Sequence, residues 1–520
     1  MNSGLKAILL LVLIPILLSC TSTHESQIEY DLLIRDAQIV DGTGGEAYTG
    51  HLLVDNGIIV KAGNFQTDTI RAVNSIDAAG RTVSPGFIDA HAHGDPFETP
   101  GFDNFLAMGV TTITLGQDGS SPMTTDVAGW MNRVDSIGTG VNILHFTGHG
   151  TLRRLADAPQ QPNLPESNLK EMVRLMENAM AAGSFGLSTG LEYESGRYAT
   201  MKELADIAKP VAEYDGIVMS HLRSEDDNQI VESVRELIRQ GEESGARVHI
   251  SHLKIVYAND ANRANAVLAI MEEARQNGVR ITADLYPYTA SYTGIGIVFP
   301  DWVTPSDFER QKERRRAELE EYLRNRIEMR NGPEATLFGT PPWAGITLAE
   351  VADSLDKPFE DVLIDDIGPS GAGAAYFVMN EDVMKRFLLD PHVMISSDGS
   401  PTMRHPRGYG SFAKIIDDYV NQESLLSLEE AIHKMTGLTA ETLGLSDPAK
   451  METPRGLLKP GFAADFLIFD HTNIKDRSTF EKPHLLAEGM DWVFVNGEAV
   501  IEDGSPKPLT PAGVIRLYPE

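Results

Sequence analysis

Cysteine is almost absent. The 520 residues contain one, Cys20, which excludes a disulfide framework. Basic residues are scarce: 44 Lys and Arg stand against 75 Asp and Glu, for a formal net charge of −31. A phosphate backbone selects basic surfaces, so nucleic acid is excluded as a partner. The acidity reads as a soluble, self-repelling surface. Beyond the first twenty residues, no segment is long and apolar enough to span a bilayer. Internal repeats and low-complexity segments are also missing. What remains is 42% hydrophobic and 23% charged, an ordinary globular composition. The length suits one large domain and a smaller one.

The single cysteine has a telling context. MNSGLKAILLLVLIPILLSC places Lys6 before the apolar run Ala7–Leu18, which is short for a membrane span. The run ends in LLSC, which resembles a bacterial lipobox. Residues 1–19 are therefore expected to be a lipoprotein signal peptide and 20–27 a tether, with Cys20 lipidated. An exported protein, lipid-anchored to the bacterial cell envelope on the periplasmic or outer-membrane face, is the expectation.

Residues 28–82 read as short strands with tight turns, and residues 455–520 repeat that style in GFAADFLIFD and GMDWVFVNGEAVIEDG. One small β-domain built from both ends is expected. Between them, residues 83–454 alternate strand and helix. Candidate strands are Thr82–Ala90, Val110–Leu115, Val141–Thr147, Phe185–Thr189, Ile217–Ser220, Val248–Ser251, Arg280–Leu285 and Val393–Ser397. Amphipathic stretches such as DNQIVESVRELIRQGEESG lie between them. The pattern predicts an α/β fold, a (β/α)8 barrel with its active site at the strand C-termini. Roughly a hundred residues separate the seventh and eighth strands, far beyond an ordinary connection. This insertion, about residues 290–390, includes the charged stretch Phe308–Met329 and reads as a helical lid over the barrel mouth.

Histidines and an aspartate end these strands. VSPGFIDAHAHG finishes in His91 and His93, two residues apart and so on one face of a strand. IVMSHLRSE ends a run at His221, RVHISHLK at His252 and VMISSDGS at Asp398. Neutral imidazoles and carboxylates gathered at one end of a barrel are what a hydrolytic metal site needs. Asp398 would take a proton from the attacking water and return it to the leaving group.

On these residues the chain resembles the amidohydrolase superfamily, and within it the N-acyl-D-amino-acid deacylase (D-aminoacylase) family. PGFIDAHAHGD, GLSTGLEYESGRYAT, SHLRSE, SHLK, DLYPYT, SSDGSP and HPRGYGSF carry the resemblance, which covers nearly the whole mature chain. It implies a β-sandwich beside the barrel, one or two Zn2+ ions, and hydrolysis of N-acyl-D-amino acids or D-dipeptides. It further implies that Lys254, Tyr286 and Arg407 bind the substrate carboxylate. One departure is evident. Where such deacylases commonly carry a metal-ligating Cys, this chain has Asp118, a harder and weaker zinc donor. The fourth strand lacks a bridging Lys, which leaves Glu192 in reserve.

Other residues stay open at this point. Arg223 faces either an acidic substrate or Glu225. His145 and His149 either line the pocket or structure a loop, and Trp343 either caps an acyl group or packs in a core. Two further functions compete: a cyclic-amide or ureido hydrolase of dihydroorotase type, and a non-catalytic binding lipoprotein on a decayed scaffold. Oligomeric state is not encoded in any of these features.

Overall fold

Every residue of VTTITL, Val110–Leu115, is buried, as a strand covered on both faces requires. The computed structural model describes Met1 and residues 29–518. Cys20, the tether and all of the signal segment except Met1 lie outside the described residues. Among the described residues, eight parallel strands follow one another around a barrel. They are Phe87–Asp89, Val110–Leu115, Asn142–Gly148, Gly186–Gly190, Ile217–His221, Arg247–Ile250, Ile281–Leu285 and Val393–Ile395. The first and eighth meet just beyond their ends. Asp398 N–H donates to His91 O at 2.8 Å and His93 N–H to Gly399 O at 2.7 Å. The seam therefore closes at the level of the predicted site.

The expected first strand, Thr82–Ala90, is two strands. Thr82–Pro85 belongs to the β-domain and Phe87–Asp89 to the barrel. Gly86 sits between them, where a Cβ would meet Thr111 Oγ1 at 2.2 Å. Only glycine lets the chain turn so close to the second barrel strand.

Both chain ends build the β-domain. Its Thr82–Pro85 strand pairs with Glu29–Ile39 on one side and Phe466–Phe469 on the other. The sheet has nine strands among the described residues. It curls so that Ile59 N–H reaches Phe462 O at 2.8 Å, and Leu52, Val54, Phe466 and Phe494 share one core. The chain then returns to the barrel, where Val514–Ile515 pairs parallel with Ile143 and Leu144.

The insertion contains more than helices. Phe308–Met329 forms two helices, Phe308–Arg314 and Arg316–Met329. The break falls at Arg315, whose φ of −128° lies outside the helical range. Beside them stands a three-stranded antiparallel sheet of Ser291–Gly294, Gly373–Tyr376 and Thr336–Phe338. The insertion has its own core, with Leu319, Leu323, Phe338 and Val351 fully buried. Trp343 packs at the edge of that core. No helix among the described residues is long and apolar enough to cross a membrane.

His149 and Arg153 sit inside, on the helix after the third barrel strand. Glu203, equally buried, lies 2.8 Å from His149 Nε2 and 3.0 Å from Arg153 Nη1. This triad ties two helices together and answers the question about His149 in favour of structure. Glu203→Ala would leave a buried guanidinium without its carboxylate. A loss of about 3–5 kcal/mol is expected by denaturant unfolding. The surface change Lys170→Ala should leave the midpoint where it was.

Candidate active site

Three donors of the cluster sit in backbone conformations that side chains rarely adopt. Asp118, His252 and Asp398 have φ of 53°, 38° and 47°. Such strain persists where surrounding structure enforces it, and it gathers at functional sites. For Asp118 the enforcing contact is visible. Gly116, with φ of 88°, passes so close to the third strand that a Cβ would meet Phe146 O at 2.0 Å. Gly119 N–H then donates to Ser188 Oγ at 3.1 Å. The loop after the second strand is thereby pulled over the barrel axis, and the Asp118 carboxylate points among the histidines.

His91, His93, Asp118, His221, His252 and Asp398 all converge at the barrel mouth. Asp118 Oδ1 lies 3.4 Å from His91 Nε2 and 3.2 Å from His252 Nε2, and its Oδ2 lies 3.5 Å from His93 Nε2. Asp398 Oδ1 is 3.1 Å from His93 Nε2. His221 Nδ1 is 3.0 Å from His252 Nε2. Three donor sets follow: His91, His93, Asp118 and Asp398; Asp118, His221 and His252; and Glu192, His221 and Glu225, each with ligand atoms within 4.8 Å of one another. Asp118 belongs to the first two. Glu192 joins from the side, with Oε2 3.1 Å from His221 Nε2.

The donors fit a cation. Both ring nitrogens of His91 are buried without a hydrogen-bond partner, and buried polar atoms are seldom left so. Burial holds the His91 pKa down, which favours the neutral imidazole that a metal binds. Burial would raise Asp118, but His91 and His252 hold it well below the usual carboxylate range. Burial also opposes charge on His93, yet hydrogen bonds to Asp118 and Asp398 bring its pKa up to about 9. The two carboxylates draw positive charge to this spot, as protons on imidazoles or as a metal ion.

Two residues that the sequence did not single out orient the cluster. Asp89 Oδ1 accepts from His91 N–H at 3.1 Å and from Ser397 N–H at 3.0 Å. Burial pushes Asp89 up to about 7. Asp284 Oδ1 accepts from His252 N–H at 2.8 Å and Ser396 Oγ at 2.5 Å, while its Oδ2 lies 2.6 Å from His249 Nε2. Both aspartates sit inside apolar strands, where alternation gives no hint of them.

A cavity of ≈ 190 Å³ opens over the donors, lined by His93, Asp118, His221, His252 and Asp398 and by the insertion residues Tyr292 and Ile297. Lys254 and Arg407 also line it. Lys254 Nζ lies 2.7 Å from Glu225 Oε1 and 2.8 Å from His252 Nδ1. Arg407 Nη1 lies 2.8 Å from Asp398 Oδ2. Tyr286 is buried behind both cations, with Lys254 Nζ 5.7 Å and the Arg407 guanidinium 4.6 Å from its ring centre. Its hydroxyl faces Met379 Sδ at 3.7 Å. Arg223 points elsewhere and grips Glu236 at 2.9 Å, so Glu225 is left to Lys254. His145 is fully buried beside Trp130, away from the cavity, and burial lowers its pKa to about 4.

A parallel barrel with imidazoles and carboxylates on its C-terminal rim is the framework of the amidohydrolases. A model of the Amidohydrolase family matches residues 361–501. An N-acyl-D-aspartate deacylase of Alcaligenes xylosoxydans xylosoxydans is 32% identical over 92% of this chain and 94% of its own length. An N-acyl-D-glutamate deacylase of the same organism is 30% identical over 92% and 95%. The chain belongs to the N-acyl-D-amino-acid deacylase (D-aminoacylase) family. Among solved structures, N-acyl-D-glutamate deacylase from Bordetella bronchiseptica, complexed with zinc and a phosphonate mimic of the tetrahedral intermediate, is similar. It is 29% identical with a TM-score of 0.81, covering 94% of this chain and all of the other.

Because Asp284 fixes the peptide of His252, Asp284→Ala should weaken metal binding about 10- to 100-fold. Competition against a chromophoric chelator measures this. Unchanged affinity would mean that His252 is held by other contacts.

Proposed function

We propose that this chain is a zinc-dependent deacylase that hydrolyses the amide bond of N-acyl-D-amino acids, releasing a D-amino acid and a carboxylate. One observation carries the reading: five of the six His and Asp donors line one cavity with Lys254 and Arg407, and the sixth, His91, lies 3.4 Å behind the Asp118 carboxylate. Relatives named for N-acyl-D-aspartate and N-acyl-D-glutamate, and a solved relative with zinc and an intermediate mimic, support the bond, the metal and the handedness.

His91, His93, Asp118, His221 and His252 would hold one ion or two, with Asp118 shared. Bound zinc lowers the pKa of water toward ~7 and polarises a carbonyl. The chain's own groups supply the rest. Asp398 accepts the proton of the attacking water and gives it to the leaving amide nitrogen. Burial would raise the Asp398 pKa, but Arg407 and His252 keep it far below the usual range, so the base is ready in its ionised form. Lys254 and Arg407 present positive charge to the substrate α-carboxylate, the one as a point charge and the other as a planar fork. Tyr286 supports both from behind through its ring.

The LLSC context of Cys20 supports export and lipid attachment. An enzyme so anchored would meet the D-amino-acid derivatives that peptidoglycan turnover releases near the envelope.

Zinc-loaded protein starting at Thr21 should release free amino acid from N-acetyl-D- but not N-acetyl-L-amino acids, with D-dipeptides as a further arm. Absence of any turnover with zinc bound would sink the reading. Asp398→Asn should lower kcat about 10²- to 10⁴-fold while metal content by mass spectrometry is kept; full activity would remove Asp398 from its role. In cells, incorporation of labelled fatty acid should disappear in Cys20→Ser.

A further inference from the structure

Arg330 directly follows the insertion helix Arg316–Met329. It is 3% exposed and lines the same cavity as the donor cluster. Its Nη1 donates to Tyr257 Oη at 3.1 Å, and its guanidinium lies 4.7 Å from the Tyr376 ring centre. Its Nε is buried with no hydrogen-bond partner, and so is the Tyr376 hydroxyl.

The other two cations of the cavity, Lys254 and Arg407, each stand beside one carboxylate of the protein. Lys254 has Glu225 at 2.7 Å and Arg407 has Asp398 at 2.8 Å. Asp226, which also lines the cavity, is taken by the neighbouring Arg326 at 2.9 Å. Among the described residues, no carboxylate pairs with Arg330. A buried guanidinium held by neutral aromatic groups alone is strongly unfavourable. Aromatic walls also strengthen its pull on any anion that enters.

We infer that Arg330 forms a second carboxylate subsite, and that the preferred substrate is an N-acyl-D-amino acid bearing an anionic group besides its α-carboxylate. This rests on the deacylase reading. The α-carboxylate goes to Lys254 and Arg407, and the second carboxylate completes the fork of Arg330. Either the amino-acid side chain or the acyl group can supply it; the chemistry required is the same.

The test is kcat/KM on isosteric pairs with zinc-loaded protein. N-acetyl-D-glutamate is set against N-acetyl-D-glutamine, N-acetyl-D-aspartate against N-acetyl-D-asparagine, and N-succinyl-D-leucine against N-acetyl-D-leucine. At least one anionic member should win by about 10- to 100-fold, the worth of a hydrogen bond to a charged group. Preference in the first two pairs assigns the subsite to the side chain, and preference in the third to the acyl group. Turnover with ratios near one in all three pairs overturns the inference and leaves the deacylase reading intact. No turnover of any pair removes both. In Arg330→Met the winning ratio should fall to near one; an unchanged ratio, or equal loss on both members, overturns the assignment to Arg330. If that variant does not fold, Arg330→Lys keeps the charge without the fork and should reduce the same ratio; an unchanged ratio in a folded Arg330→Lys overturns it.

Discussion

Two buried carboxylates hold the barrel seam and the donor cluster together. Asp89 receives the backbone N–H of His91 from the first strand and that of Ser397 from the eighth. Asp284 receives the N–H of His252 from the sixth and the hydroxyl of Ser396 from the eighth. Each therefore joins the end of the closing strand to the backbone of a histidine that carries chemistry. A barrel that closed in a different register would lose these bonds and misplace the imidazoles at once. Fold closure and site geometry are one constraint, enforced in an apolar interior where an unmet acceptor is costly.

The parts of this architecture that repeat were legible in the sequence. Seven of the eight barrel strands begin within a residue of their expected positions because β-branched runs buried on both faces leave little ambiguity. The first does not. A change of sheet at Gly86 leaves no gap in the apolar pattern of TVSPGFIDA. The insertion was read by its charged helices, while its short strands, four residues or fewer, carried no period long enough to recognise. The four histidines and Asp398 were found because each stands at or just beyond a strand end, whereas Asp118, in the loop after the second strand, came from the family resemblance. Asp89, Asp284 and Glu225 were not found, because their roles arise from partners distant in the chain. The ion pair of Arg223 with Glu236 is likewise a matter of where one helix packs.

Asp118 stands where the resemblance to the deacylases leads one to expect a cysteine. A carboxylate offers two oxygens where a thiolate offers one sulfur, and here they face different histidines: Oδ1 looks toward His91 and His252, and Oδ2 toward His93. The Asp118 carboxylate reaches these imidazoles from a strained backbone position. A harder donor set shifts preference toward harder cations and weaker retention. The left-handed conformations of Asp118, His252 and Asp398 fix three of the donors through the backbone itself.

The strand Thr82–Pro85 lies between one strand from the start of the chain and another from beyond residue 460. A ribosome delivers these neighbours hundreds of residues apart. Until the last of the sequence has been made, the N-terminal strands have no partner on one side, and Val514–Ile515 cannot lock against the barrel. Contacts this distant in sequence form slowly. The nascent chain is thus kept from finishing its fold until its C-terminal strands have been made, so folding of the β-domain and closure around the barrel follow synthesis and do not accompany it.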